Sequence, residues 1–311
     1  MAIIRGGNAE YKSSGPSSEE KKEKLEKLIY EMVYQKLDRI ELSGKYIGLD
    51  EVKILGSIKL TKEFKSLILS DNQVDNDGLM TLLDSEYLTN LESLDLGINF
   101  ITDSGIKNWA ELDQVRLERL KILSLNDNRL GDESISTFLL SSHATSIEIL
   151  NLDYTQVGNG ACKALAQSSG LTNIKELHLE RGYINDEGIK DFLEWEGLEG
   201  LQVLKLTSNQ LTDEGIEEIS RSSRLKSIKK LDLGCNQISD KGCNALAESN
   251  IIENLDFLTL SRNPFTEEGA QKLKELKISG RLKNLILYEG VDNSPNLQNY
   301  SRPELLRPDA E

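Results

Sequence analysis

The stretch LQVLKLTSN (201–209), followed directly by QLTDEGIEEI (210–219), decides the fold. Its first half alternates apolar and polar residues with period two and closes on an asparagine, the pattern of a short strand leading into a turn. Its second half sets an apolar residue, an aspartate and a glycine ahead of apolar residues at helical spacing, the pattern of a turn feeding a helix. The strand half, LxxLxLxxN, returns as LESLDLGIN (91–99), LKILSLNDN (120–128), IKKLDLGCN (228–236) and LDFLTLSRN (255–263). Looser copies begin at Leu37, Phe64, Ile147, Ile174 and Leu282. Consecutive starts lie 27 residues apart, except for one spacing of 29 between Leu91 and Leu120. A fixed phase held through the whole series marks a repeat array in place of two or three compact domains.

The helix half recurs in step, as FITDSGIKNW (100–109), YINDEGIKDF (183–192), QISDKGCNAL (237–246) and PFTEEGAQKL (264–273). Asp103, Asp132, Asp186, Asp213, Asp240 and Glu267 are expected to cap the helices that they open, by accepting N–H groups of the first turn. Each unit is therefore a strand, a turn and a helix. No single unit can bury its own apolar face, so the units must stack.

These motifs resemble the leucine-rich repeats, and among them the long, helix-containing ribonuclease-inhibitor class. The resemblance covers about 37–290 and implies an α/β solenoid, a horseshoe with a concave parallel sheet and convex helices. Ten repeats of about 27 residues fill 37–290. Residues 1–16 read as a flexible N-terminus. The segment 17–36 reads as a capping helix over the first repeat: Ser17 and Glu20 have capping-box spacing, and Leu25, Leu28, Ile29, Met32 and Val33 share one face. Residues 291–311, with Pro295, Pro303 and Pro308, read as a C-terminal cap or tail.

The closing asparagine of each strand half is expected to bond backbone groups of the adjoining turns. Asn72, Asn99, Asn128, Asn209, Asn236 and Asn263 hold the place. Lys45 and Gly290 replace it at the ends, which is ordinary for terminal units. Thr155 and Gly182 replace it in two adjacent central units, and that irregularity directs the search for function.

Composition narrows the function classes. With 52 acidic against 37 basic residues the formal charge is −15, a sign that repels nucleic-acid backbones and anionic lipid. No apolar run approaches a bilayer span, and the first residues lack the apolar core of a secretion signal. Three cysteines without a CxxC motif indicate neither a disulfide framework nor a zinc ribbon. Cys162 and Cys243 sit at apolar places and Cys235 at a strand exit. With His143 and His178 as the only histidines, and no HExxH, GxSxG or phosphate-loop motif, the sequence points to no catalytic residue, metal site or cofactor. Trp109 and Phe192 occupy a helix position filled by Leu elsewhere and read as packing on the convex side.

The outward places of the strand halves are polar, varied and mildly acidic, a surface compatible with a partner of basic character. Beside the two irregular units they bring Asp153, Tyr154, His178, Glu180, Arg181 and Lys205 together by phase. Tyr and Arg are enriched in interface hot spots, so these six residues are the candidate partner-binding site. The alternative role for Tyr154 and Arg181 is to cover an irregular turn. The expected function is recognition of a protein partner on the concave face by a cytoplasmic monomer that has no catalysis of its own. The resemblance leaves two alternatives. One is an enzyme regulator of the Ran GTPase-activating type, whose loop residues have no counterpart that can be placed here. The other is a bacterial effector delivered into a host cytosol.

Overall fold

The computed structural model describes residues 17–35, 38–58, 64–114 and 116–287. The segments expected to be a flexible N-terminus, 1–16, and a C-terminal tail, 291–311, lie outside the described residues. Ten three-residue strands form one sheet: β1 Arg39–Glu41, β2 Ser66–Ile68, β3 Ser93–Asp95, β4 Ile122–Ser124, β5 Ile149–Asn151, β6 Glu176–His178, β7 Val203–Lys205, β8 Lys230–Asp232, β9 Phe257–Thr259 and β10 Asn284–Ile286. All are parallel and ordered as in the chain. Each residue pairs with the one occupying the same place in the next unit, as Leu177 does with Leu204. The helices are α1 Ser18–Tyr34, α2 Leu49–Ser57, α3 Asn76–Leu83, α4 Asp103–Ala110, α5 Asp132–Leu140, α6 Asn159–Gln167, α7 Asp186–Leu193, α8 Asp213–Arg221, α9 Asp240–Glu248 and α10 Glu267–Ile278. The architecture is the expected solenoid, with strands on one face and helices on the other.

Period-two patterning explains the core. The central strand leucines, among them Leu67, Leu94, Leu123, Leu204 and Leu231, are fully buried, so the flanking residues of each strand turn to the open face. Trp109, Phe138, Phe192 and Trp195 fill the space between sheet and helices. Trp109 lies 5.0 Å from Phe138, and Phe192 lies 5.9 Å from Trp195, centroid to centroid. Trp109 and Phe192 are thus interior packing on the helical side. Cys162 and Cys243 are buried, and burial pushes both thiols up to about 12, far from a nucleophile's range.

At the first edge of the stack, α1 lays Leu25, Ile29 and Met32 onto the first unit. Ser17 and Glu20 close a reciprocal capping box at its start, at 2.6 and 3.2 Å. Lys21 joins Glu51 of α2 at 2.8 Å.

The asparagines bond as their phase requires. Asn99 accepts the Val74 N–H at 2.9 Å and donates to the Leu69, Leu96 and Gly97 carbonyls at 2.9 to 3.0 Å, so one side chain ties two units together. In the irregular units, Thr155 keeps only an internal bond, from its hydroxyl to the Leu152 carbonyl at 2.6 Å. At Gly182 a Cβ would stand 2.5 Å from the Val157 carbonyl oxygen, so backbone fills the space of the missing side chain.

The expectation for the helix aspartates needs correction. These residues do not cap the helices they open, since each is the first residue inside its own helix and reaches forward to the next. Asp213 accepts the Ser239 N–H at 2.8 Å, the Ser239 hydroxyl at 2.5 Å and the Gly242 N–H at 2.9 Å, all at the start of α9. Asp132 binds Gly158, Gly160 and Ala161 at the start of α6 in the same way. The caps of α7, α8, α9 and α10 are Asn185, Thr212, Ser239 and Thr266. The physical reason is axial stacking: parallel helices one unit apart bring each first turn beside the orphan N–H groups of the following one. It also explains the recurrent glycine two residues on. A Cβ at Gly242 would meet Asp213 Oδ1 at 2.6 Å. Glu267 opens the last helix and is joined by Lys274 at 2.7 Å.

Along the strand entrances runs a row of charges of nearly alternating sign. Lys65 meets Glu92 at 2.9 Å, Glu148 lies 3.7 Å from Lys121 and 2.6 Å from Lys175, and Asp256 meets Lys283 at 2.7 Å. Partner lysines hold the Glu92 and Glu148 carboxyls below their usual range.

Candidate functional site

The turn after each strand places its eighth residue in the left-handed backbone region. Asp71, Ile98, Asp127, Tyr154, Arg181, Ser208, Cys235 and Arg262 all have φ between 51° and 59°. The N–H groups of the first seven are spent on the next unit: Tyr154 donates to the Glu180 carbonyl at 2.7 Å and Arg181 to Thr207 at 2.9 Å. Backbone is therefore satisfied, and what faces outward at this rim is side chain. Tyr154 and Arg181 are both exposed there, with the guanidinium 4.7 Å from the ring centroid. That is a cation–π stack that presents a flat polar and apolar surface.

Beside this pair the strands carry the charged part of the cluster. Asp153 is only 8% exposed. Its Oδ1 accepts the Glu180 N–H at 2.7 Å, and its own N–H donates to Asn151 Oδ1 at 2.9 Å. Asp153 Oδ2 lies 4.0 Å from His178 Nδ1, and Glu176 Oε2 lies 3.7 Å from His178 Nε2. The ring is thus held between two acids, at distances too long for hydrogen bonds. The Tyr154 hydroxyl points at Glu180 Oε1, at 3.5 Å. Lys205 pairs in register with His178 on one side and Asp232 on the other, without a direct bond to the cluster. All six sequence-selected residues come together, five through contacts and Lys205 as the neighbouring strand position.

The electrostatics single out three carboxylates of this face. Burial is the main cause that pushes the Asp153 and Glu180 carboxyls up, opposed in both by Lys205 and reinforced by Asp232. Burial raises Asp95, two strands before β5, in the same way. Away from the sheet face the signs reverse: lysines hold Glu51, Glu217 and Glu248 down. On the sheet face Asp95, Asp153 and Glu180 thus keep ionised forms that the fold does not fully compensate, a property that concentrates at functional sites, whereas His178 holds Glu176 down.

A pH effect follows. The folded-state value of Asp153 is raised, so its ionised form costs stability at neutral pH, and this cost fades as pH falls through the raised value. Asp153→Asn keeps an acceptor for the Glu180 N–H. It is expected to raise the Tm at pH 7, with an advantage that shrinks toward acid pH. Thermal melts of both proteins between pH 7 and pH 4 check this, and a lower Tm for the variant at pH 7 would contradict it.

Several residues at the site escaped sequence reasoning. Ile122 is 39% exposed and pairs in register with Ile149, an apolar step on the sheet face. Exposed Tyr183 and Phe100 stand two places beyond the left-handed residue in their units. The signal was an apolar residue at an outward place that other units fill with polar ones. Among the described residues no group of three or more His, Cys, Asp or Glu is placed to hold a metal, and no helix is long and apolar enough to cross a membrane.

Segments 64–83, 87–108, 119–139, 201–220 and 224–247 match the family model of the leucine-rich repeat. No curated protein matches the chain. Among solved structures, an internalin C2 from Listeria monocytogenes is 25% identical across 72% of this chain and 80% of its own, with a TM-score of 0.48. A plant peptide hormone receptor, RGFR1, solved in complex with RGF2, is 18% identical across 76% of this chain and 35% of the receptor chain, with a TM-score of 0.41.

Proposed function

We propose that this chain, five segments of which match the leucine-rich repeat, is a protein-recognition module. It binds one partner protein on the concave sheet face through Asp153, Tyr154, His178, Glu180, Arg181 and Lys205, and it has no catalysis of its own. The units are of the ribonuclease-inhibitor-like class, a reading supported by the full α-helix opposite each strand. The observation that carries the proposal is the stacked Tyr154 and Arg181 pair at the rim of a cluster of under-compensated carboxylates. Stacking holds both large side chains in place before binding, which lowers the ordering cost of association. The carboxylates attract a partner of basic character.

The test is capture by the tagged full chain from a eukaryotic lysate, followed by affinity measurement on the recovered partner. Hot-spot truncations cost about 2 kcal/mol or more. The double variant Tyr154→Ala, Arg181→Ala is therefore expected to weaken binding at least tenfold, while Tyr30→Ala on α1 leaves it unchanged. An unaltered affinity in the double variant would remove the central patch as the binding site.

A further inference from the structure

The rim holds a second feature three units wide. Ile98, Phe100, Asp71, Asp127 and Arg129 line a groove of about 320 Å³ whose floor is the asparagine ladder. Ile98 and Phe100 are 46% and 50% exposed. Ile98 also holds φ 54°, a conformation that β-branched residues adopt only at a steric cost. Burial gives no compensation for that cost, and Ile98 is the one β-branched residue among the eight described at this position. Arg129 lies over the Phe100 ring, 6.0 Å from its centroid. Asp71 and Asp127 flank Ile98 at the same rim position of the two adjacent units. Their N–H groups donate to Gly97 and Asp153, and neither carboxylate has an ion-pair partner among the described residues.

We infer that this groove is a subsite for a basic side chain of the partner, an arginine or lysine whose aliphatic stem covers Ile98 and Phe100 while its cation meets Asp71 and Asp127. The inference rests on the reading of the chain as a protein-recognition module and adds the chemistry that module selects. Charge decides the occupant: the groove lining carries two carboxylates, Asp71 and Asp127, and one cation, Arg129, which lies over Phe100, so a further cation is favoured. The groove is continuous with the central patch, because Asp127 and Tyr154 stand at equivalent places in adjacent units, about 4.8 Å apart by strand spacing.

The experiment uses the full chain with labelled isoleucine methyl groups, titrated by NMR with N-acetyl-arginine methylamide. Its neutral isostere, N-acetyl-citrulline methylamide, serves as the control probe. The arginine probe is expected to shift the Ile98 methyl saturably and to bind at least fivefold more tightly than the citrulline probe. Asp71→Asn with Asp127→Asn is expected to erase that fivefold preference. Asparagine suits the left-handed backbone at both places, so the variant keeps its fold. Equal shifts with both probes, shifts spread over the acidic surface without preference for Ile98, or an undiminished preference in the double variant would each overturn the subsite. The response is expected to survive Tyr154→Ala with Arg181→Ala, and its loss there would also overturn the assignment. Lysate capture is not part of this titration, so failure of the subsite and failure of the central patch are read separately.

Discussion

Replacing Asn99 with alanine is expected to lower the stability of the solenoid by roughly 2 kcal/mol. The side chain is 7% exposed and makes four bonds, one accepted and three donated. Alanine would leave the buried Val74 N–H without an acceptor and take one donor from each of the Leu69, Leu96 and Gly97 carbonyls, which keep Asn72, Asn128 and the Asp71 N–H, at a cost of about 1 to 3 kcal/mol for the unpaired group. Asn99→Asp is expected to be as damaging, because a carboxylate would face three carbonyl oxygens, and that separates hydrogen bonding from side-chain volume. Units in a solenoid contact only their neighbours, so the defect should appear first as a loss of cooperativity between the units on either side. Urea unfolding followed by far-ultraviolet circular dichroism gives the measurement. A midpoint and slope matching those of the parent would show that the ladder contributes little.

The second large effect is expected at Asp213. Its three bonds hold the first turn of α9 against the first turn of α8, and a carboxylate at that place also complements the positive helix end. Asp213→Ala is expected to cost about 2 kcal/mol, since partial exposure lets water replace some of what is lost. Asp213→Asn should cost well under half of that. Asparagine already serves at this place, where Asn76 accepts the Thr102 N–H at 2.9 Å and Asn159 accepts that of Asn185 at 3.1 Å. Denaturation midpoints of the two variants decide it, and equal losses for alanine and asparagine would contradict the forward-reaching bond.

The contrast between these two rows shows what a linear sequence can disclose. The strand asparagines were legible in position and role, because the motif that contains them also forms the turn they support. The helix aspartates were legible only in position. Their partners lie 26 to 31 residues away, and a one-dimensional pattern cannot tell a carboxylate that caps its own helix from one that caps the next. The candidate site divides in the same way. Phase placed Asp153, Tyr154, His178, Glu180, Arg181 and Lys205 side by side, since strand register copies sequence spacing. It did not disclose that Tyr154 and Arg181 stack, that Asp153 is buried, or that Ile98 and Phe100 share a groove, because each depends on side-chain direction at a left-handed turn. The two missing asparagines also differ physically. Thr155 retains a bond, whereas Gly182 yields to a close backbone approach.

The charges along the strand entrances bear on how such a molecule can change its length. Lys65, Glu92, Lys121 and Glu148 each face the opposite sign in both neighbours. Excising the single unit that carries Lys121 would bring Glu92 beside Glu148, and like charges on adjacent strands repel. Excising that unit together with the next would bring Glu92 beside Lys175 and leave the pattern whole. Along this part of the molecule the smallest neutral edit is a doublet, so the 54-residue pair, more than the 27-residue motif, is the module by which the array can be shortened or extended without electrostatic penalty.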